Sequence, residues 1–400
     1  MKALILDAEN KTATVQDIPR PTPGSDELLV KVTALALNPV DALYTYHPLG
    51  GTGRTVGSDF SGTVVASGGT TTFSKGDRVA GFLQGACSVN DRPGAFAEYL
   101  VCPADLVRKV PDSVSLEEAA AVNLCGLTAA QAIFYRLGLP APFTWEPHHE
   151  DGEEFDARPL TGGDSKQARP LVFFIYGAST SVGLYAAQLV RHSAAASGRP
   201  IRLIGTASHA RFPMLKAEPY NYDALVDYRS PDWPAQVRKL AGGGGVDLAY
   251  DCISEGTTVR LTNSVLRPAS GDSSSKGRLA VVRSRAAGAW ETGGVPEGLG
   301  EPIYGAVWEG LGADIQYQKF WVRTSPSKRA FAGAFYKWLS EAGGRLRANP
   351  VRPMPGGLEK IVQDGFALLG SGPVSGRTQE RTEPWMRPVS GEKLVYKVEQ

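Results

Sequence analysis

The chain has 400 residues, enough for two domains, because a single hydrophobic core seldom exceeds roughly 250–300 residues. Its 42 basic and 41 acidic side chains nearly cancel, which argues against nucleic acid or an anionic membrane as a partner. Four scattered cysteines argue against a disulfide scaffold and a structural zinc cluster, and no apolar run approaches the roughly 18–20 residues of a membrane span, so we expect a soluble, cytoplasmic protein.

The amino-terminal part, residues 1–135, has the pattern of a barrel-like β domain. Short apolar runs alternate with turns rich in Gly, Pro and Asp. Predicted strands lie at 28–37, 60–67 and 96–101. Helices are predicted next at 115–122 and 124–138, and the first begins with a capping box in which Ser115 is followed three residues later by Glu118.

Residues 144–170 form a polar stretch without periodicity. Acidic residues, prolines and glycines dominate it, which predicts a long exposed loop. The adjacent His148 and His149 lie among carboxylates in this stretch. We interpret them as solvated side chains rather than metal ligands.

The most informative stretch is 171–190, LVFFIYGASTSVGLYAAQLV. An apolar run rich in aromatic and β-branched residues ends at Tyr176, as in a strand covered on both faces, and helical character begins at Val182. Small residues form the turn between them, so backbone N–H groups can approach a phosphate at the positive end of the helix dipole. The pattern indicates a dinucleotide site, and a tight turn without a ligand is the alternative.

Hydroxyl residues occupy the middle of this turn, where G-x-G-x-x-G motifs carry a glycine. Only Gly177 and Gly183 remain at the ends, around Ser179, Thr180 and Ser181. Hydroxyls can donate directly to a pyrophosphate. We therefore expect these side chains to share the work that backbone N–H groups do in other dinucleotide sites.

The second strand of this unit, predicted at 201–208, ends without an acidic residue. In NAD sites a carboxylate at this strand end binds the ribose hydroxyls, and it would repel a 2′-phosphate. Here the chain continues through Ser208, His209 and Arg211. The Ser208 hydroxyl and the Arg211 fork can bind a 2′-phosphate, so we expect NADPH rather than NADH. The alternative is that Arg211 only solvates a helix start.

Two further apolar runs, 224–228 and 246–253, follow at the spacing of an α/β unit. They are predicted as the third and fourth strands of one parallel sheet. Tyr228 ends the third strand where an adenosine would lie, although a surface tyrosine is equally ordinary there. A flexible excursion is predicted at 268–277.

The carboxy-terminal part has mixed character, with a predicted helix at 331–342 and a predicted final strand at 392–398. A terminal strand needs a sheet to join, and the β-rich amino-terminal part is the available host. We therefore predict an α/β fold in which a doubly wound parallel-sheet (Rossmann) cofactor domain is inserted into a β-rich catalytic domain. The expected bounds are 1–135 and 306–400 for the catalytic domain and 136–305 for the cofactor domain.

Seven motifs together resemble the medium-chain dehydrogenase/reductase superfamily, in which a GroES-like catalytic domain carries an inserted Rossmann domain. They are NPVD (38–41), GSDFSGTV (57–64), GDRV (76–79), GAFAEY (94–99), CGLTAA (125–130), YGASTSVG (176–183) and SGEKLVYKV (390–398). Zinc-dependent alcohol dehydrogenases of this superfamily place Cys and His ligands at the positions matching Pro39–Asp41 and Ser58, where this chain has Val40 and Ser58. Without thiolate or imidazole ligands we expect no zinc ion.

Within the zinc-free branch, the chain resembles the fungal trans-acting enoyl reductases that serve highly reducing polyketide synthases. These proteins reduce an enoyl chain held on the synthase's acyl carrier protein, in secondary-metabolite biosynthesis. The resemblance implies an NADPH-dependent oxidoreductase that acts on the CH–CH group. Quinone or enone reductases of free small molecules share several of the matches, and a non-catalytic NADPH-binding interaction protein is a third alternative.

The resemblance also implies roles for individual residues. Contacts to the pyrophosphate are assigned to Ser179, Thr180, Ser181 and Val182, and the surroundings of the 2′-phosphate to Ser208, His209, Arg211 and Tyr228. The nicotinamide end is assigned to Val40, Asp41, Ala42 and Leu43, and further cofactor contacts to Leu266, Val389 and Ser390. The border of the acyl channel is assigned to Thr128, Ala129, Ala132 and Tyr135. Relatives can carry a lysine where this chain has Leu43.

The implied reaction is hydride transfer from NADPH to the β-carbon of an α,β-unsaturated thioester, followed by protonation at the α-carbon. Charge that accumulates on the thioester oxygen needs a hydrogen-bond donor. Thr128 is the candidate donor, through its hydroxyl or its backbone N–H. Tyr44 and Tyr46 are candidate acids, and a bound water is the alternative.

A monomer is expected from the segment 279–307, which should form the edge strand that pairs many members of the superfamily into dimers. Its glycines and prolines are Gly288, Gly293, Gly294, Pro296, Gly298, Gly300 and Pro302. Such a density of glycine and proline disfavours strand pairing.

Overall fold

The computed structural model describes residues 1–69, 71–146, 169–269, 276–285, 290, 300–341, 346–374, 377 and 381–398. Most of the predicted loops at 144–170 and 268–277 lies outside the described residues, together with His148, His149 and most of the glycines of segment 279–307.

The chain forms two compact units. The first comprises the described parts of Met1–Leu124, Trp145–His148 and Trp308–Gln400, and the second comprises those of Cys125–Thr144 and His149–Val307. The observed divisions therefore fall after Leu124 and Val307, whereas the bounds expected from the sequence are 135 and 305.

The amino-terminal part of the first unit is rich in strands. These are β1 (Lys2–Asp7), β2 (Thr12–Asp17), β3 (Glu27–Ala36), β4 (Asp59–Ser67), β5 (Arg78–Phe82), β6 (Tyr99–Pro103) and β7 (Val107–Lys109). Helix α1 (Pro39–Tyr46) follows β3, and α2 (Leu116–Ala120) follows β7. The predicted capping box of α2 is present, since the Ser115 hydroxyl accepts the Glu118 N–H and the Glu118 carboxylate accepts the Ser115 N–H, both at 3.1 Å.

The helix predicted at 124–138 is divided in the structure. Helix α3 (Asn123–Ala130) continues into a π-helical turn, Gln131–Arg136. The Leu137 N–H donates to the Ala132 carbonyl at 2.9 Å, five residues back, which is the hydrogen-bond spacing of such a turn. Hydrophobic periodicity does not distinguish this wider turn from a regular helix.

The second unit alternates strands and helices. In chain order they are β8 (Leu171–Tyr176), α4 (Ser181–Ser197), β9 (Ile201–Ala207), α5 (Phe212–Lys216), β10 (Ala224–Asp227), α6 (Trp233–Leu240), β11 (Leu248–Asp251), α7 (Thr258–Ser264), β12 (Arg278–Val281) and β13 (Ile303–Tyr304). All neighbouring strands are parallel, in the order β10-β9-β8-β11-β12-β13. The direction of winding reverses between β8 and β11, and such a reversal is where ligands bind to doubly wound sheets.

The carboxy-terminal residues complete the first unit. Their elements are β14 (Ile315–Gln316), β15 (Trp321–Val322), α8 (Pro326–Glu341), β16 (Val351–Met354), α9 (Ala367–Leu369) and β17 (Lys393–Lys397). Strand β17 pairs antiparallel with β3, so the sheet has the order β16-β17-β3-β4-β5-β7, with β6 also on β3. The predicted insertion of a Rossmann domain into a β-rich GroES-like domain is confirmed. No helix among the described residues is long and apolar enough to cross a membrane.

Candidate functional site

The turn between β8 and α4 is the first candidate region. Gly177 ends the strand with a φ of +77°, a left-handed conformation that glycine adopts without strain. A Cβ atom on Gly183 would lie 2.4 Å from the Gly177 carbonyl oxygen, so the first turn of α4 packs directly against the loop. The turn therefore joins a strand to a helix as the sequence predicts, and the strand order places it at the carboxyl end of a central strand, at the winding reversal.

Thr180 is the N-cap residue of α4. Its hydroxyl accepts the Gly183 N–H at 3.0 Å and donates to the Gly177 carbonyl at 2.9 Å. The hydroxyl hydrogen is therefore used within the turn, which corrects the expectation that this hydroxyl donates to a pyrophosphate. Ser179, Ser181 and Val182 are partly exposed at the same turn.

The predicted adenosine residues meet at the carboxyl ends of two neighbouring strands. Ser208 and the 3₁₀ turn His209–Arg211 follow β9 directly, and Tyr228 follows β10. Because Ala207 of β9 is paired with Asp227 of β10, these two strand ends are adjacent. Tyr228 is 43% exposed, and Ser208 and Arg211 are partly exposed.

Two residues at this edge were not assigned a role from the sequence. The Asp227 carboxylate accepts the Arg229 N–H at 2.9 Å and the His209 N–H at 3.3 Å. The Arg229 guanidinium lies 5.3 Å from the centre of the Tyr228 ring, in a cation–π contact. The signal in the sequence that could have identified them is an acidic residue at the end of β10, Asp227, with a basic residue, Arg229, two positions later.

Leu266 does not lie at this edge. Its side chain is 1% exposed and belongs to an apolar cluster that includes Val246 and Val259. Leu266 is therefore a core residue, and its expected cofactor contact stays a prediction.

The start of α1 is the second candidate region, within the first unit. Asn38 precedes the helix, and its backbone N–H donates to one oxygen of the Asp41 carboxylate at 2.8 Å. The Ser58 hydroxyl donates to the other oxygen, also at 2.8 Å. Both carboxylate oxygens of Asp41 are thus bonded inside the unit. Among the described residues, no group of three His, Cys, Asp or Glu side chains could hold a metal ion.

A buried ion pair extends this cluster. The Lys393 ammonium lies 3.2 Å from the Asp59 carboxylate, and these side chains are 3% and 0% exposed. Lys393 also donates to the side-chain oxygen of Asn38. The Asn38 amide nitrogen in turn donates to Ser58 at 3.0 Å and to Asp59 at 2.9 Å. Three chain segments, 38–41, 58–59 and the start of β17, are therefore joined by one polar network.

The residues that were expected at the nicotinamide end differ in exposure. Asp41 is 2% exposed and Ala42 is fully buried, and the assignment of segment 40–43 to the nicotinamide end stays a prediction. Val40, Leu43 and Tyr44 are partly exposed on the same helix.

Asp41 predicts a pH dependence of stability. Burial raises its pKa to about 7 from the ordinary value of 3.8, against the lowering effect of the donors Asn38 and Ser58. The folded state therefore holds a proton between these values that the unfolded state has lost. The free energy of unfolding should fall as the pH rises from 5 to 7, by about 1.4 kcal/mol per pH unit from this group.

Asp41→Asn imitates the protonated carboxyl. It should remove the contribution of Asp41 to the slope of the free energy of unfolding against pH. Asp232→Asn is the control, since Asp232 is exposed and its pKa is lowered. Denaturant titrations at several pH values measure both slopes. An unchanged slope in Asp41→Asn would contradict the assignment.

The third candidate region is α3 with its π-helical turn. Thr128 is the one partly exposed residue of α3, whereas Ala129, Ala132 and Tyr135 are buried. The assignment of these residues to the border of the acyl channel stays a prediction. Thr128 is the predicted channel residue whose side chain reaches the surface.

Val389 and Ser390 precede β17 in the first unit. Val389 is partly exposed and Ser390 is exposed. They follow a 3₁₀ turn, Pro384–Met386, and lie directly before Gly391, whose φ is +64°.

Comparisons with known proteins cover the whole chain. Residues 24–112 match the family described as the alcohol dehydrogenase GroES-like domain. The trans-enoyl reductase caaB of Aspergillus niger is 30% identical over 408 aligned residues, which cover 99% of this chain and 96% of that protein. The trans-enoyl reductase ffsC of Aspergillus flavipes is 33% identical, with 90% and 89% covered. An alcohol dehydrogenase superfamily protein of Novosphingobium aromaticivorans has a similar fold, with a TM-score of 0.67, 20% identity and 100% of both chains covered.

Proposed function

Because this chain belongs to the fungal trans-enoyl reductases of the medium-chain dehydrogenase/reductase superfamily, we propose that it reduces the α,β-double bond of an enoyl thioester with NADPH. The proposed substrate is held by the acyl carrier protein of a polyketide synthase, in secondary-metabolite biosynthesis. The observation that carries the proposal is similarity over 99% of the chain to a protein named trans-enoyl reductase.

The groups at the carboxyl edge of the second unit suit the proposed cofactor. The small residues of the 177–183 turn allow a pyrophosphate to approach the N-terminus of a 17-residue helix. Ser208 and Arg211 offer a hydroxyl and a cationic fork for the 2′-phosphate. Ser179, Ser181 and Val182 would contact the pyrophosphate. When bound, NADPH supplies the hydride that adds to the β-carbon of the substrate.

Thr128 is the proposed donor to the thioester oxygen. Negative charge develops on this oxygen as the β-carbon accepts a hydride, and a donor held in place stabilises that charge. Tyr44 is the proposed acid for the α-carbon, with Tyr46 and a bound water as alternatives. Burial raises the pKa of the Tyr46 phenol, so this group is protonated at neutral pH.

An assay of substrate and cofactor preference tests the proposal. With NADPH, the kcat/KM for an enoyl pantetheine thioester should exceed that for a small quinone by about 100-fold, because the binding energy of the acyl arm contributes only with the thioester. NADH should be poorer than NADPH, and Arg211→Leu should reduce this difference since the cationic fork is lost.

Two outcomes would contradict the proposal. Faster turnover of the quinone would identify a reductase of free small molecules. Tight NADPH binding without turnover of either substrate would identify a non-catalytic binding protein.

A further inference from the structure

Two consecutive charged residues at the start of β17 face two different segments of the first unit. Lys393 reaches the Asn38 side chain and the Asp59 carboxylate. Glu392 accepts hydrogen bonds from Arg352 and, at 2.6 Å, from Arg387. One strand end thus connects to the start of α1 and to the segment that precedes β17.

Lys393 holds the start of α1 through Asn38. The Asn38 side chain accepts from Lys393 and donates to Ser58 and Asp59, so each of its polar groups is used. Its backbone N–H donates to Asp41 in the first turn of the helix. The position of α1 is therefore set by directional bonds to β17 and β4.

The Arg352 guanidinium, which is paired with Glu392, holds the segment 385–388. It donates to the carbonyl oxygens of Trp385 at 3.0 Å, Arg387 at 2.6 Å and Pro388 at 3.0 Å. Its charge is balanced by Glu392, and these two side chains are 4% and 10% exposed. Apart from the short turn Pro384–Met386, this segment belongs to no helix or strand.

Burial of these charges is not explained by stability alone. Desolvation of a buried ion pair offsets much of its attraction, and apolar side chains of similar volume are often as stable in such places. Hydrogen bonds to charged groups, in contrast, define the positions of their partners, because they weaken steeply with distance and angle.

We propose that Lys393 and Arg352, joined through Glu392, are positioning residues that hold Val40–Leu43 and Val389–Ser390 where both segments meet the cofactor. This inference rests on the proposed function, NADPH binding, and on the assignment of these two segments to the cofactor that the family resemblance implies. Neither Lys393 nor Arg352 touches the cofactor in this proposal, because both side chains are buried.

Three matched methionine substitutions in the full chain test the proposal. Lys393→Met removes the contacts with Asn38 and Asp59, and Arg352→Met removes those with segment 385–388. Arg78→Met is the control, since Arg78 also donates to loop carbonyls, those of Pro111 and Val114, but reaches neither segment. Hydrogen exchange without cofactor, NADPH affinity by titration calorimetry, and the separate values of kcat and KM are measured for each variant.

We expect exchange to rise at least tenfold in residues 38–46 of Lys393→Met and in residues 385–391 of Arg352→Met. The Kd for NADPH should rise at least tenfold in both, whereas Arg78→Met should stay within twofold of the wild type in both measurements. If Lys393→Met does not fold, the comparison of hydrogen exchange and NADPH affinity between Arg352→Met and Arg78→Met tests the proposal.

The possible failures are distinguishable. Wild-type protein that does not bind NADPH overturns the proposed function and this inference with it. Wild-type protein that binds NADPH, with folded Lys393→Met and Arg352→Met binding within twofold of it, overturns the inference alone.

Discussion

Replacement of Gly183 by alanine should weaken NADPH binding by at least about 100-fold, or ~2.7 kcal/mol. The added Cβ would lie 2.4 Å from the Gly177 carbonyl oxygen and 3.0 Å from that of Ala178, and backbone atoms cannot move aside as a flexible side chain would. The start of α4 must therefore shift away from the turn. The N–H groups proposed to meet the pyrophosphate would shift with it.

Gly198→Ala is the matched control, because it makes the same change at the other end of the same helix. Gly198 has a φ of +67° and open space around its Cβ position, so alanine there costs about 1–2 kcal/mol of stability through backbone strain alone. Calorimetric titration with NADPH should find its affinity unchanged. An affinity of Gly183→Ala within threefold of the wild type would show that the cofactor does not use this turn.

Thr128→Val should lower kcat by about 100-fold on an enoyl thioester, the usual loss when one donor to a developing oxyanion is removed. Valine keeps the shape of threonine and removes only the hydroxyl. Thr128→Ser retains the hydroxyl and should keep most of the activity. Because the donor acts in the transition state, KM should change much less than kcat.

Thr262→Val supplies the control for this experiment. Thr262 is a fully buried threonine of the second unit whose hydroxyl has no hydrogen-bond partner within the described residues, so valine there should leave both activity and stability close to those of the wild type. Steady-state kinetics of the three variants measure the effect. A kcat of Thr128→Val within threefold of the wild type would refute the role of the hydroxyl and leave the backbone N–H as the donor.

The buried network of the first unit connects the start of α1 to β4 and β17. In this network the Ser58 hydroxyl donates to the Asp41 carboxylate. Lys393, Asn38 and Asp59 complete the network. Directional hydrogen bonds thus organise the start of α1 in this protein.

The amino-acid sequence by itself determined the fold and the location of the turn between β8 and α4. Local signals were sufficient for both, since a buried strand, a turn of small residues and a helix are consecutive in 171–190. The capping box of α2 and the strand ends at Ser208 and Tyr228 could be predicted for the same reason. The final strand was placed because an isolated terminal strand must pair with a sheet, as β17 does with β3.

Only the tertiary structure decided which candidate side chains are exposed. Asn38 and Lys393 are 355 residues apart in the chain, and no local pattern reveals that they meet. Asp41, Leu266 and Tyr135 were assigned to the site from the sequence, but in the structure they are 2%, 1% and 4% exposed. Periodicity reports which face of an element is apolar, whereas burial depends on what that face finally packs against, and this is known only when the chain has folded.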